Sequence, residues 1–233
     1  NQEYILNLID TPGHSDFSYE VSRALAAVDG AILLVDASQG IQAQTLANYN
    51  HAKKAGLKII GAINKIDLNP LGVEEIAKSI SELTGENPDE ILKVSGKTGQ
   101  GVEELLKAVI EKIPAPSSGC HSRESGNPEL GPGFRVKPGM TKGNCKDIFQ
   151  ALIFDSFYHE HKGIVANVRV FNGFLKREDE AFLVTAQNKF KVKELGHFCP
   201  ELKGDEIIEA GQIGYIATGL KDPEILKIGD TII

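Results

Sequence analysis

YILNLIDTPGH, residues 4–14, decides how the first half of the chain folds. Its first six residues are apolar or aromatic except Asn7, the composition of a short strand covered on both faces. The run stops at Asp10, Pro12 and Gly13, residue types that favour a turn. A strand over residues 4–9 would leave Asp10 at its C-terminal end, where open parallel sheets bind their ligands.

Working outward, the pattern repeats. Residues 17–28 carry helical spacing, 31–35 (AILLV) form a continuous apolar run suited to a doubly buried strand, and 45–55 return to helix. Residues 58–63, 73–83, 91–94 and 102–113 continue as strand, helix, strand and amphipathic helix. Alternation of this kind predicts an α/β unit with a parallel sheet over residues 1–116. Gly, Pro and Ser then fill 13 of the 27 positions from 117 to 143. So few apolar residues cannot bury a core, and 117–145 reads as a disordered insert or linker. Its string CHSRESGNPELGPGFRVKPGMT resembles the translation of palindromic repeats scattered through some bacterial genomes. Cys120, His121 and Cys145 match no zinc-ligand spacing.

From residue 146 onward the pattern is all-β, with strands expected at 164–171, 174–176, 181–185, 189–195, 213–217 and 230–233. This is barrel-like spacing. Asn172-Gly173 predicts a type I′ hairpin, in which both central residues take positive φ.

Composition narrows the partners. A formal net charge of −7 argues against wholesale coating of nucleic acid, though not against docking through a local patch. Three scattered cysteines do not make a disulfide framework. No apolar run reaches the length of a transmembrane segment. The chain opens at Asn1 inside an expected strand, so we read it as a piece of a longer protein.

Three loops carry chemistry. At Asp10-Thr11-Pro12-Gly13-His14, Asp10 would hold Mg²⁺ through water, Gly13 would offer its N–H to a phosphate, and His14 would face an attacking water. At Asn64-Lys65-Ile66-Asp67, the Asp67 carboxylate can accept from guanine N1–H and the 2-amino group. Adenine lacks that amino group and would leave the acceptor unpaired. Asn64 would reach the N7 side of the base and tie neighbouring loops together, and the Lys65 stem would cover a base face. At Ser95-Gly96-Lys97, backbone N–H groups would approach guanine O6. Each loop alone is compatible with an ordinary turn. Their order, each after an expected strand, with Asn64 54 positions after Asp10 and Ser95 31 after Asn64, points to one guanine nucleotide. His159 and His161 read as solvated loop histidines.

These loops resemble the DxxG, NKxD and SAK motifs of P-loop GTPases, with Gly96 in place of alanine. DTPGH is similar to the translational branch, and FSYEVSR and ASQGxxAQT to its LepA-type elongation factors; the next families are the EF-G and BipA (TypA) types. QALIFDSFYHEHKGIVANVRVFNGFLK and AGQIGYIATGLKD look like the β-barrel that follows the G domain in that family. Ser15 stands where valine is usual, and Glu178 where a turn glycine is expected. The resemblance implies an incomplete P-loop GTPase domain followed by a translation-factor barrel, binding GTP and Mg²⁺. It implies His14 as the catalytic residue, the ribosome as partner, and a cytoplasmic location with possible peripheral contact at the membrane. No GxxxxGK[ST] occurs in the 233 residues, and Gly99-Gln100-Gly101 does not replace it. We therefore expect this piece alone to be inactive. A barrel acting alone as a ribosome-binding module, or the product of a decayed gene, are the alternatives.

Overall fold

The computed structural model describes residues 3–11, 18–69, 72–116 and 148–233. It divides into two units, Asn1–Pro116 and Ser117–Ile233.

In the first unit, α1 (Ser18–Ala26), β1 (Gly30–Asp36), α2 (Ala43–Lys54), β2 (Lys58–Asn64), α3 (Val73–Thr84), β3 (Leu92–Lys93) and α4 (Val102–Lys112) follow in order. The strands form a parallel sheet in the order β1-β2-β3, with Asp36 in register with Asn64 and Ile63 with Lys93. All three therefore end on the same side, and the loops that follow them meet there. All four helices lie within two residues of the expected bounds; apolar spacing is regular in α1, α3 and α4, whereas α2 buries only Tyr49 and Ala52.

Helix α3 illustrates the regular spacing. Val73, Ala77 and Ile80 recur at helical spacing, Glu74 and Glu75 suit the positive N-terminal end, and Gly85 closes the helix at φ 79°. Its buried stripe packs with Val35, Ala37, Ile63 and Ile91 into the core of the unit. Gly101, at φ 73°, turns the chain into α4 where an added Cβ would lie 2.1 Å from the Lys93 carbonyl oxygen. Only glycine fits there.

Two expectations fail in this unit. Residues 4–9 form no strand or helix, and Ile5 is 84% and Leu8 86% exposed. A strand needs a neighbouring edge to pair its N–H and C=O groups, and no described strand lies beside this run. Residues 31–35 do form a strand, but β1 stands at the sheet edge with Leu33 and Val35 buried and Leu34 51% exposed. One of its faces is uncovered.

The second unit is antiparallel throughout. Its strands are β4 (Gln150–His159), β5 (Gly163–Asn172), β6 (Phe174–Lys176), β7 (Glu180–Leu183), β8 (Asn188–Lys191), β9 (Glu194–Cys199), β10 (Glu201–Asp205), β11 (Ile207–Glu209), β12 (Ile213–Ala217) and β13 (Thr231–Ile232). Eight make one sheet in the order β10-β9-β12-β5-β4-β13-β7-β8, and β6 pairs with β11. The large sheet curls around a core that includes Ile153, Val168, Leu183, Leu195, Ile216 and Ile232, and Leu175 of β6 and Ile208 of β11 complete its wall. The buried Asp230 carboxylate accepts from the N–H groups of Thr185 (2.8 Å), Thr231 (2.7 Å) and Ala186 (3.2 Å). That locks the turn after β7 to the C-terminal strand.

Asn172-Gly173 is not a type I′ hairpin. Only Gly173 has positive φ (67°), and β6 leaves β5 to pair with β11. The reason is a close approach: an added Cβ on Gly173 would sit 2.8 Å from the Phe149 nitrogen, and Asn172 Nδ2 donates to the Ile148 carbonyl. Strand β4 went unplaced in the sequence because its pairing with β5 shifts register between Ile153 and Asp155, which breaks the alternation. The expected strand at 189–195 is two, β8 and β9. Glu178 does occupy a left-handed turn, at φ 71°. Residues 117–147, with Cys120, His121 and Cys145, lie outside the described residues.

Candidate functional site

The loops after β2 and β3 are stitched together by side chains. Asn64, the last residue of β2, accepts at Oδ1 from the Lys65 N–H (2.8 Å) and from the Gly96 N–H (3.0 Å). Asp67 Oδ1 accepts from Ser95 Oγ at 2.7 Å. Ser95 is fully buried, and its Oγ accepts in turn from the Thr98 N–H at 3.2 Å. A hydroxyl both donating and accepting is locked in orientation, so it aims the Asp67 carboxylate rather than merely touching it. Asp67 itself is exposed, on the wall of an open cleft of about 390 Å³ lined also by Ile66, Val73, Glu74, Lys93 and Gln100.

The backbone closes the same loops. Val94 N–H donates to Ile63 O (2.8 Å), Ser95 N–H to Gln100 O (2.9 Å) and Gly99 N–H to Ser95 O (2.9 Å). Gly99-Gln100-Gly101 thus shapes the Ser95–Gly96 turn. Gly96 needs no positive φ, and an added Cβ would find the Asn64 amide at 3.8 Å. Alanine fits there. Lys97 is exposed.

Lys65 takes φ 62°, unusual for a residue with a side chain, and its Nζ lies 2.6 Å from Asp36 Oδ2. Asp36 ends β1, and its Oδ1 accepts from both the N–H (2.7 Å) and the hydroxyl (2.6 Å) of Ser38. The Lys65 ammonium foremost, then the Ser38 donors, hold the Asp36 carboxyl well below the usual range, at about 2. The loop after β1 is bound to the others by Ala37 N–H to Asn64 O (2.8 Å) and Asn69 Nδ2 to Ala37 O (3.0 Å). Asp36 was missed in the sequence, although the signal was there: a carboxylate ending an apolar strand, as at Asp10.

Asn64, Lys65, Asp67, Ser95 and Gly96 are therefore brought together. Of the first loop only Asp10 and Thr11 are among the described residues. Asp10 is exposed and Thr11 half-buried, and among the described residues no hydrogen bond or ion pair ties either to the other two loops. Pro12, Gly13 and His14 lie outside the described residues, as does Ser15. A lone exposed carboxylate suits a cation that keeps its water shell, which is how Asp10 would meet Mg²⁺. Among the described residues no three His, Cys, Asp or Glu side chains cluster as a metal site; the His159 and His161 rings lie tilted with centroids 6.0 Å apart, and the His161 N–H donates to His159 Nδ1 at 3.2 Å.

Comparison with known proteins bears on these loops. Residues 1–115 match the elongation factor Tu GTP binding domain family. The chain is 42% identical over 231 residues to elongation factor 4 of Syntrophomonas wolfei subsp. wolfei, covering 99% of this chain and 34% of that protein. It is 44% identical over 229 residues to elongation factor 4 of Aquifex aeolicus, covering 98% and 34%. It spans about a third of the length of the curated relatives it matches. Among solved structures, it resembles the Methanococcus maripaludis translation elongation factor SelB bound to a GTP analogue (TM-score 0.69, 21% identity, 96% of this chain and 45% of that one). A bacterial selenocysteine-specific elongation factor is similar too (TM-score 0.67, 22% identity, 96% and 34%). These likenesses establish the fold.

Proposed function

Since the chain belongs to the elongation factor 4 family of translational GTPases, we propose that it supplies guanine recognition and the water-orienting loop to a factor that hydrolyses GTP on the ribosome during elongation. The observation that carries this reading is the pair of bonds joining two strand-end loops, Ser95 Oγ to Asp67 and Gly96 N–H to Asn64. They hold an exposed carboxylate where a purine edge can be read.

Asp67 accepts from guanine N1–H and the 2-amino group, Asn64 serves the N7 side, the Lys97 N–H approaches O6 while the Ser95 and Gly96 N–H groups brace that turn against Gln100 O and Asn64 Oδ1, and the Lys65 stem covers the base. Adenine leaves Asp67 unpaired, which is where discrimination comes from. In the first loop, Thr11 and Pro12 would border the phosphates and Gly13 would offer its N–H to the γ-phosphate. Asp10 would hold Mg²⁺ through water, and the metal supplies charge neutralisation on the phosphates. His14 orients the attacking water, whose oxygen bonds to the γ-phosphorus as the bond to the β-phosphate oxygen breaks. Because GxxxxGK[ST] is not among the 233 residues, turnover is proposed for the whole protein and base recognition for this chain. The ribosome is the macromolecular partner and the cytoplasm the setting, with any membrane contact peripheral.

Asp67→Asn tests the reading. An amide donates where the carboxylate accepted, so guanine nucleotides should lose affinity and xanthine nucleotides, with a carbonyl at that position, should gain it. Unchanged preference, measured by competition between GDP and XDP, would sink the assignment. The 233-residue polypeptide alone should turn over no GTP; hydrolysis that disappears in His14→Ala would overturn that part.

A further inference from the structure

We propose that Asp36 is a positioning residue for guanine recognition, acting through Lys65. The inference rests on the nucleotide reading above and adds a residue that the three loops do not contain. Asp36 and Asn64 are register partners at the ends of adjacent parallel strands, so Asp36 stands beside the start of the Asn64–Asp67 loop. Its carboxylate is fixed on one side by two bonds from Ser38 and on the other by the Lys65 ammonium at 2.6 Å.

The fixation matters because Lys65 is otherwise an entropic liability. Its side chain is about half exposed and carries four rotatable bonds. A stem meant to cover a base face must be held extended before the base arrives, or its ordering is charged against affinity. The Asp36 pair does this from the sheet, a rigid element, rather than from another loop. Lys65 and Asp67 separate by their readouts: stem coverage changes affinity for any purine, whereas Asp67 alone reads the guanine edge.

The test is a double-mutant cycle on the 233-residue chain, titrated calorimetrically with GDP and with ADP. Asp36→Asn should weaken GDP roughly fivefold, the effect of losing one partly exposed ion pair, with the ratio of GDP to ADP affinity unchanged. Asp36→Glu should restore binding. Lys65→Met keeps an unbranched apolar stem without the charge, and in that background Asp36→Asn should have no further effect. Should Asp36→Asn unfold the unit by circular dichroism, Ser38→Ala loosens the same carboxylate and replaces it in the cycle. The proposal is overturned if Asp36→Asn binds GDP as well as or better than the parent, or loses the same factor in the Lys65→Met background. A parent chain that saturates with neither nucleotide ends the guanine reading, and this proposal with it; a parent that prefers GDP while the cycle is flat ends only this proposal.

Discussion

The two units bury themselves very differently. In the β unit, seventeen buried apolar side chains form one cluster under an eight-stranded sheet, and a buried carboxylate pins its last strand. In the α/β unit the corresponding cluster holds seven, ten further buried apolar side chains lie outside it among the described residues, and Tyr4, Ile5, Leu6 and Leu8 lie open to solvent. Among the described residues the β unit buries seventeen apolar side chains larger than alanine and the α/β unit ten; at about 1.5–3 kcal/mol each, that difference outweighs any one surface ion pair. The loops proposed to carry chemistry sit in the thinner unit. Binding loops belong to the less stable part of many proteins, because they must adjust to what they hold.

Limited proteolysis should break or sharpen this contrast most visibly. A protected product beginning near Ile148, with residues 3–11 cut first, is expected; protection of both units to the same protease dose would erase the contrast. Within the β unit, Asp230→Ala removes the charged acceptor of three part-buried N–H groups and should cost about 3 kcal/mol, read as a shift in urea midpoint. The counterpart in the α/β unit is smaller. Ser95→Ala removes one donor to Asp67 and one acceptor for Thr98, and should cost about 1.5 kcal/mol while slackening GDP binding. Hydrogen exchange, followed unit by unit, separates the two variants.

Two substitutions should stabilise. Glu178→Gly relieves a left-handed side-chain conformation for a gain of about 1 kcal/mol, since the exposed pair with Lys191 contributes little. Gly96→Ala should add about 0.5 kcal/mol by restricting the unfolded chain, with no clash in the fold. A loss of stability at Gly96→Ala would mean that the loop needs glycine for a reason its backbone does not disclose.

Much of this was legible before any coordinates. Helices α1, α3 and α4 followed from regular apolar spacing, and the pairing of Asn64–Asp67 with Ser95–Gly96 followed from two loops that each succeed a parallel strand. What was not legible depended on neighbours. Apolar content over residues 4–9 predicts a strand, yet a strand is a relation between two chains of peptide groups, and nothing local states whether a partner is present. Asn172-Gly173 carries the composition of a hairpin, but Gly173 is held against the backbone of Ile148 and Phe149, and that long-range contact sends β6 to β11. Asp36 escaped notice because its significance lies in a lysine 29 positions away.

By itself, then, the order of residues determined the division into an α/β half and an all-β half, the helices, and the residue types able to read a guanine edge. Periodicity and turn chemistry act over a few neighbouring positions, so they are written locally. The tertiary structure decided which strands pair, that Asp67 is aimed by a buried serine, and that Lys65 is tethered to the end of β1. Those outcomes depend on hydrogen-bond partners far apart in the chain, and only the folded arrangement brings them within reach.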